Sequence, residues 1–391
     1  MDDLNIYVDG LPEARPEVRD HFSEGERLHQ AERHREAVDE FNKAFAAVED
    51  DSQRSALHIL IANSLYRLSE LEDAERHYRQ ALSAAERAAD NEAQTAALGN
   101  LGLVYADRGE LEMAEGHYRK ALGIYEEIGD MLAQATALGN LGNVYADYSE
   151  LEKAEEHYHK ALGIYQEIGA RLGQANQLNN LGLVHADRGD LHKAEDYHRK
   201  ALAIHEDIGN KEGQAEILDN LGNVYAGRSD LDAAEQHYRK ALGIYQEIGD
   251  RLGQAAVLCN LGTICFQRGQ VEKAEEHHRK ALAIHEQVGN RLGQAQDLGN
   301  LGNVYADRGE LEEAEAHYRR ALAIHEQMGN RLGQAASLGN LGLLAEERGD
   351  SGEAHDLLQQ AATLYDAIGA GGEGPEAVRA ALERLEDADN P

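Results

Sequence analysis

"LGNLGNVYADRGELEEAEAHYRRALAIHEQMGNRLGQAAS" spans Leu298 to Ser337, and near copies of it fill most of a 391-residue chain. Gly102, Gly142, Gly182, Gly222, Gly262, Gly302 and Gly342 fall at a strict interval of 40, and two looser units centred on Gly25 and Ala62 precede them. A fixed period of this length marks a one-dimensional array, not the two or three domains that length alone suggests. Each unit splits into two helical segments. In the third, residues 91–107 place Leu98, Leu101, Gly102 and Tyr105 on one face. Residues 111–128 then carry Leu111, Ala114, Tyr118, Ala121, Leu122 and Tyr125 at helical spacing. "DRGE" between them supplies a glycine stop and an acidic start, while "IGD" and "IGN" end the second segment with a cap for the next.

No single helix pair buries its apolar stripe, so neighbours must stack. The expected architecture is an all-α solenoid of about nine helix-turn-helix units over residues 14–370. A tail of residues 1–13 precedes it, and "GPEAVRAALERLEDA" at 374–388 follows as an amphipathic capping helix. The prolines are Pro12, Pro16, Pro375 and Pro391, so nothing between Pro16 and Pro375 forces a helix break.

The charge balance narrows the partners. With 72 acidic against 38 basic residues the formal net charge is −34, which phosphate backbones and anionic lipid repel. Nucleic acid and membranes are therefore not expected partners. No apolar run is long enough to cross a bilayer, and "MDDLNIYVDGL" lacks the basic start and apolar centre of a signal peptide, so the expected compartment is the cytoplasm. An acidic surface with Arg favoured over Lys suits a salt-loving organism, and a GC-rich genome favours the same balance. Cys259 and Cys265 are six positions apart on one helix, point in different directions, and read as small packing residues.

Leu98, Leu101, Gly102, Tyr105, Ala114, Tyr118 and Ala121 together resemble the tetratricopeptide repeat signature, with Leu98 where that family usually has Trp. The match recurs, for example as Leu301, Gly302, Tyr305, Ala314, Tyr318 and Ala321, and covers about residues 18–368. Each unit is longer than the common repeat of roughly 34 residues and lacks its usual Pro. The longer form is similar to kinesin light chains, the Leu-Gly-Asn spindle-orientation adaptors and bacterial signalling arrays. That resemblance implies a right-handed α-solenoid whose first helices line a concave groove.

Asparagine is a poor helix former, yet Asn100 recurs as Asn140, Asn180, Asn220, Asn260, Asn300 and Asn340. At about 100° per residue, Asn100 lies opposite the packing stripe and shares its face with Ala96, Leu103 and Asp107. Asn143, Asn223 and Asn303 add a second amide one turn along, and Asp107, Asp147, Asp187 and Asp307 make the stripe acidic. One reading has each asparagine bonding a neighbouring helix or water. The other is a ladder of amides that donate and accept along an extended peptide backbone, as the resemblance to O-GlcNAc transferase-like and kinesin light chain-like arrays implies. Gln94, Gln134, Gln174, Gln214, Gln254, Gln294 and Gln334 recur as strictly at helix starts, and are read as structural.

No catalytic constellation is evident. His198 with His205, and His278 with His285, are two turns apart on one helix, too far to share an ion. The glycines of "LGNLGN" follow no strand and lack a phosphate-loop lysine. Neither metal nor cofactor is expected. The expected function is a non-enzymatic protein-interaction scaffold binding an extended, basic or polar peptide. The alternatives are docking of a folded signalling or protease-like partner through the convex face or ends, and self-association into filaments.

Overall fold

The computed structural model describes residues 15–389, so the expected tail of residues 1–13 lies outside the described residues. The chain forms two compact units, Met1–Ile204 and His205–Pro391. Helices follow one another throughout, with no strand among the described residues. The two looser repeats comprise α1 (Pro16–Gln30), α2 (His34–Phe45), α3 (Asp51–Arg67) and α4 (Leu71–Ala88). The strict repeats begin with α5 (Asn91–Asp107), α6 (Leu111–Ile128), α7 (Met131–Asp147), α8 (Leu151–Glu167), α9 (Arg171–Asp187) and α10 (Leu191–Asp207). They continue as α11 (Lys211–Gly227), α12 (Leu231–Ile248), α13 (Arg251–Gln267), α14 (Val271–Val288), α15 (Arg291–Asp307) and α16 (Leu311–Met328). The last repeat is α17 (Arg331–Arg348) with α18 (Ser351–Ile368), and α19 (Glu373–Asp389) follows. An all-helical array of stacked pairs is what the 40-residue period requires.

Local chemistry sets the helix ends. Asp90, Asp130, Asp250 and Asn290 each accept a hydrogen bond from the backbone N–H three residues on, satisfying a donor that the helix start leaves unpaired. Gly109 and Gly129 take φ of 70° and 76°, a left-handed step that reverses the chain between helices.

All pairs but α3–α4, which has Ala62 at this position, close around a missing side chain. A Cβ on Gly102 would lie 2.6 Å from the Tyr118 ring, so the ring from α6 occupies the space a side chain on α5 would need. Ala114 and Ala121 are 0% and 1% exposed beside it, small enough to let the helices approach. Neighbouring pairs are tied by a second contact. The Tyr165 ring from α8 seats on Gly173 at the start of α9.

Ion pairs clip successive repeats together at the other end. Glu75 on α4 accepts from the Tyr105 hydroxyl (2.6 Å) and from Arg108 (2.5 Å), the arginine of the "DRGE" turn. Glu275 repeats the arrangement with Tyr305 and Arg308, and Glu155 pairs with Arg188. At the C-terminal end, Val378, Ala381 and Leu385 of α19 join the core formed by Ala354, Leu358 and Ala361 of α18. No helix among the described residues is long and apolar enough to cross a membrane.

Two glycines in adjacent helices should respond oppositely to alanine. Gly102→Ala drives a methyl into the Tyr118 ring and should cost about 1–3 kcal/mol. Gly123→Ala meets nothing within 4 Å and should stabilise by about 0.5–1 kcal/mol. Urea denaturation of the two variants measures both, and equal signs would contradict the packing described.

Candidate peptide-binding face

With one face of each first helix committed to its partner and its flanks to neighbouring repeats, a single stripe faces outward. On α7 it runs Leu132, Thr136, Asn140, Asn143 and Asp147, spaced by three or four residues. All are exposed except the partly buried Asn140. The fifteen residue steps from Leu132 to Asp147 make the stripe about 22 Å long. Leu172, Asn176, Asn180, Leu183 and Asp187 form it on α9, and Leu292, Gln296, Asn300, Asn303 and Asp307 on α15. Each stripe therefore passes from an exposed leucine through amides to a carboxylate. The leucines are substantially exposed, 56% for Leu132 and 48% for Leu292. Clefts open beside the stripes: one lined by Gly99, Tyr125, Leu132, Thr136 and Asn140, another by Leu252, Ala256, Cys259, Asn260, His285 and Leu292.

The seven ladder asparagines are not equivalent. Asn100 is 0% exposed and donates to Asn63 of the preceding repeat (3.2 Å), so it is an interior group with no access to a ligand. Its stripe neighbour Ala96 is buried as well. Asn140, Asn180, Asn220, Asn260, Asn300 and Asn340 are partly exposed. Three of them use the amide Nδ2 to reach the preceding first helix: Asn180 to Asn143 (3.4 Å), Asn260 to Asp219 (3.0 Å) and Asn300 to Cys259 (3.3 Å). Bonding to a neighbouring helix, the plainer of the two sequence readings, is thus present at these positions.

The second amides are held the opposite way. Asn143, Asn223 and Asn303 are exposed, and each Oδ1 accepts from the tyrosine hydroxyl of the paired helix: Tyr158 (2.8 Å), Tyr238 (2.7 Å) and Tyr318 (2.7 Å). Burial holds those phenols well above their usual range, so they stay protonated and donate. Asp107, Asp147, Asp187 and Asp307 are exposed at the acidic end, with Asp107 accepting from Tyr66 (2.5 Å).

The glutamine row is structural, by a route other than helix-start donors. Gln134, Gln174, Gln254 and Gln294 donate at 2.9–3.0 Å to a carbonyl in the last turn of the preceding helix. Gln174, Gln254 and Gln294 also accept from the arginine three residues earlier, which occupies both ends of the amide.

Asp219 and the leucine row escaped the sequence reading. Both lay in reach of helical-face arithmetic, the leucines at eight residues before Asn140, Asn180, Asn260, Asn300 and Asn340. Burial raises the Asp219 carboxyl to about 6, against the donation from Asn260. A folded value above the unfolded one of about 3.9 means the folded state holds the proton longer. Its contribution therefore favours folding below about pH 4 and is lost as pH rises through about 6. Asp219→Asn should match wild type in denaturation midpoint at about pH 4 and exceed it at about pH 7. An equal difference at both would show that Asp219 does not titrate in this range.

The tetratricopeptide repeat profile matches residues 52–127, 133–207, 173–247, 213–287, 253–327 and 295–367. A search among curated proteins finds no match. Among solved structures, a signal-transduction ATPase with a tetratricopeptide repeat sensor from Pyrococcus horikoshii is similar at 19% identity and a TM-score of 0.64. That match covers 96% of this chain and 55% of the other, so this chain spans about half of that ATPase. Aspartyl phosphate phosphatase F from Bacillus subtilis aligns at 13% identity over 98% of this chain and 96% of its own, with a TM-score of 0.58. A Rap protein complexed with competence and sporulation factor aligns at 16% identity over 95% and 97%, with a TM-score of 0.57. At these identities the likeness is one of fold. With the profile matching most of its length, the chain belongs to the tetratricopeptide repeat family, a family of protein–protein interaction scaffolds.

Proposed function

We propose that the outward stripes of the first helices bind an extended peptide, and that binding alone, without catalysis, is the function. The arrangement of the amides carries this reading. Asn300 commits its Nδ2 to Cys259, so its oxygen is the end it would offer a ligand, while Asn303, one turn along, commits its oxygen to Tyr318, so its N–H group is the end it would offer. An acceptor and a donor fixed side by side match the alternating N–H and C=O groups of a peptide main chain. Asn180 is held in the same sense as Asn300, and Asn143 and Asn223 in the sense of Asn303.

The ends of the stripe supply selection. Exposed Leu132, Leu172, Leu252, Leu292 and Leu332 favour apolar side chains at one edge of the path. Asp147, Asp187 and Asp307 favour Lys or Arg at the other, within a chain of net charge −34. The ligand is thus a basic segment with interspersed apolar residues, held by main-chain bonds of roughly 0.5–1.5 kcal/mol each. Two buried, unpaired cysteines and a strongly acidic surface suit the cytoplasm as its place of action.

Selection from a displayed random-peptide library tests this. Winning peptides should be rich in Lys and Arg, and should bind more weakly as salt rises. Asn140→Ala with Asn180→Ala removes two rungs from neighbouring repeats, worth about 1–3 kcal/mol together or roughly a 5–150-fold loss of affinity. Alanine is the better helix former, so the loss should come without a lower thermal midpoint. Acidic winners, or an affinity indifferent to the double variant, would overturn the reading.

A further inference from the structure

The strict repeats are near copies, so departures that meet in space carry information that copied residues do not. Three such departures converge on α13, α14 and α15. Cys259 stands where Gly99, Gly139, Asn179, Asp219, Gly299 and Gly339 stand in the other strict repeats; His278, like His198, stands where Tyr118, Tyr158, Tyr238 and Tyr318 do; Asp297 stands where Ala97, Ala137, Gln177, Ile217, Val257 and Ser337 do. A donor atom from each of the three lies within 4.8 Å of the others, and the residues are 6%, 1% and 0% exposed. Asp297 is the one carboxylate among the strict repeats at this buried position, where an ionisable group is rare unless paired.

The surrounding groups orient these donors without saturating them. His285 Nδ1 lies 2.7 Å from Asp297 Oδ2, and Asn300 donates to Cys259 Sγ at 3.3 Å. Asp297 Oδ1 and His278 Nδ1 have no partner within the protein and stand 3.9 Å apart, beyond hydrogen-bond reach but close enough to share a bridging atom. The His278 ring sits on Gly262 through its Cε1 and Nε2 edge, where a Cβ would come within 2.6 Å of both atoms.

We propose that Cys259, His278 and Asp297 bind a borderline-soft divalent metal ion, zinc by its donor set, clamping three successive helices. One sulfur, one imidazole nitrogen and one carboxylate oxygen form a three-protein-ligand zinc set, with the fourth position left to water or another donor. Bonds of about 2.0–2.3 Å place tetrahedral donors roughly 3.3–3.8 Å apart, so closure onto the ion needs side-chain shifts of about 1 Å. Cys259 and His285 also line the cleft beside Asn260, which gives the ion a way in. Cys259 releases its thiol proton on binding. His285 and Asn300 act as positioning residues, holding the carboxylate and the sulfur. His278 and His285 still do not share an ion; the set takes one donor from each helix, a combination no spacing along a single helix reveals.

Chelator-treated full-length protein titrated with Co²⁺ and then Zn²⁺ tests the site. One Co²⁺ per chain should bind with a thiolate-to-cobalt absorption band, Zn²⁺ should displace it, and Zn²⁺ should raise the thermal midpoint. Cys259→Gly, His278→Tyr and Asp297→Ala each install the residue other repeats carry, so circular dichroism should show them folded. Each should bind more than about 100-fold more weakly, and Cys259→Gly should lose the band. His285→Tyr should weaken binding by about 10–100-fold, and Cys265→Ala should leave it unchanged. Absence of the band in wild type, its loss in Cys265→Ala alone, or affinity in the three variants within about threefold of wild type would overturn the proposal.

Discussion

The array rests on one steric constraint: in most repeats a ring from the second helix occupies the space above an α-carbon that carries no side chain. Gly102 lies under Tyr118, Gly142 under Tyr158, Gly222 under Tyr238 and Gly302 under Tyr318, with His198 and His278 taking the same place over Gly182 and Gly262. A second row of rings does the same between repeats, where Tyr165, Tyr245 and His285 seat on Gly173, Gly253 and Gly293. Close-packed interiors do not yield by half an ångström without cost, so these two contacts fix how near the helices come. The 40-residue period in the sequence is the spacing of that contact along the chain.

Everything outward follows from what the contact uses up. A first helix that gives one side to its partner and its flanks to neighbours keeps one free stripe, and repetition gives that stripe the same register in each strict repeat. The buried tyrosines bring hydroxyls that must be paired. The exposed asparagines at 143, 223 and 303 accept those bonds through Oδ1. Core packing and the chemistry of the exposed face are therefore one arrangement. The tyrosine that fills the space above glycine also occupies the oxygen of the exposed amide at 143, 223 and 303.

Helix type, helix limits and pairing were legible from periodicity. The segments expected at 91–107 and 111–128 are the observed α5 and α6, because Gly turns and Asp caps act locally. Which amides face solvent was legible only in part. Helical-face arithmetic places Asn100 outward, but Asn63 and Tyr78 of the preceding, looser repeat draw it into a buried network that spacing within one helix does not show. The Glu75–Tyr105–Arg108 clip joins residues 30 and 33 positions apart, and Cys259, His278 and Asp297 come from three helices. Interactions of that range depend on how repeats stack, not on any one helix.

The claim that the first-helix stripes are the working surface is tested most directly by photo-cross-linking a bound peptide. A photoreactive residue would be placed at Thr136 or Gln296 on the stripes, or at Lys120 or Lys280 on the exposed sides of α6 and α14. The account predicts covalent capture from Thr136 and Gln296 and none from Lys120 or Lys280. Capture from the second-helix positions alone would contradict it and move the binding surface to the opposite side of the repeats.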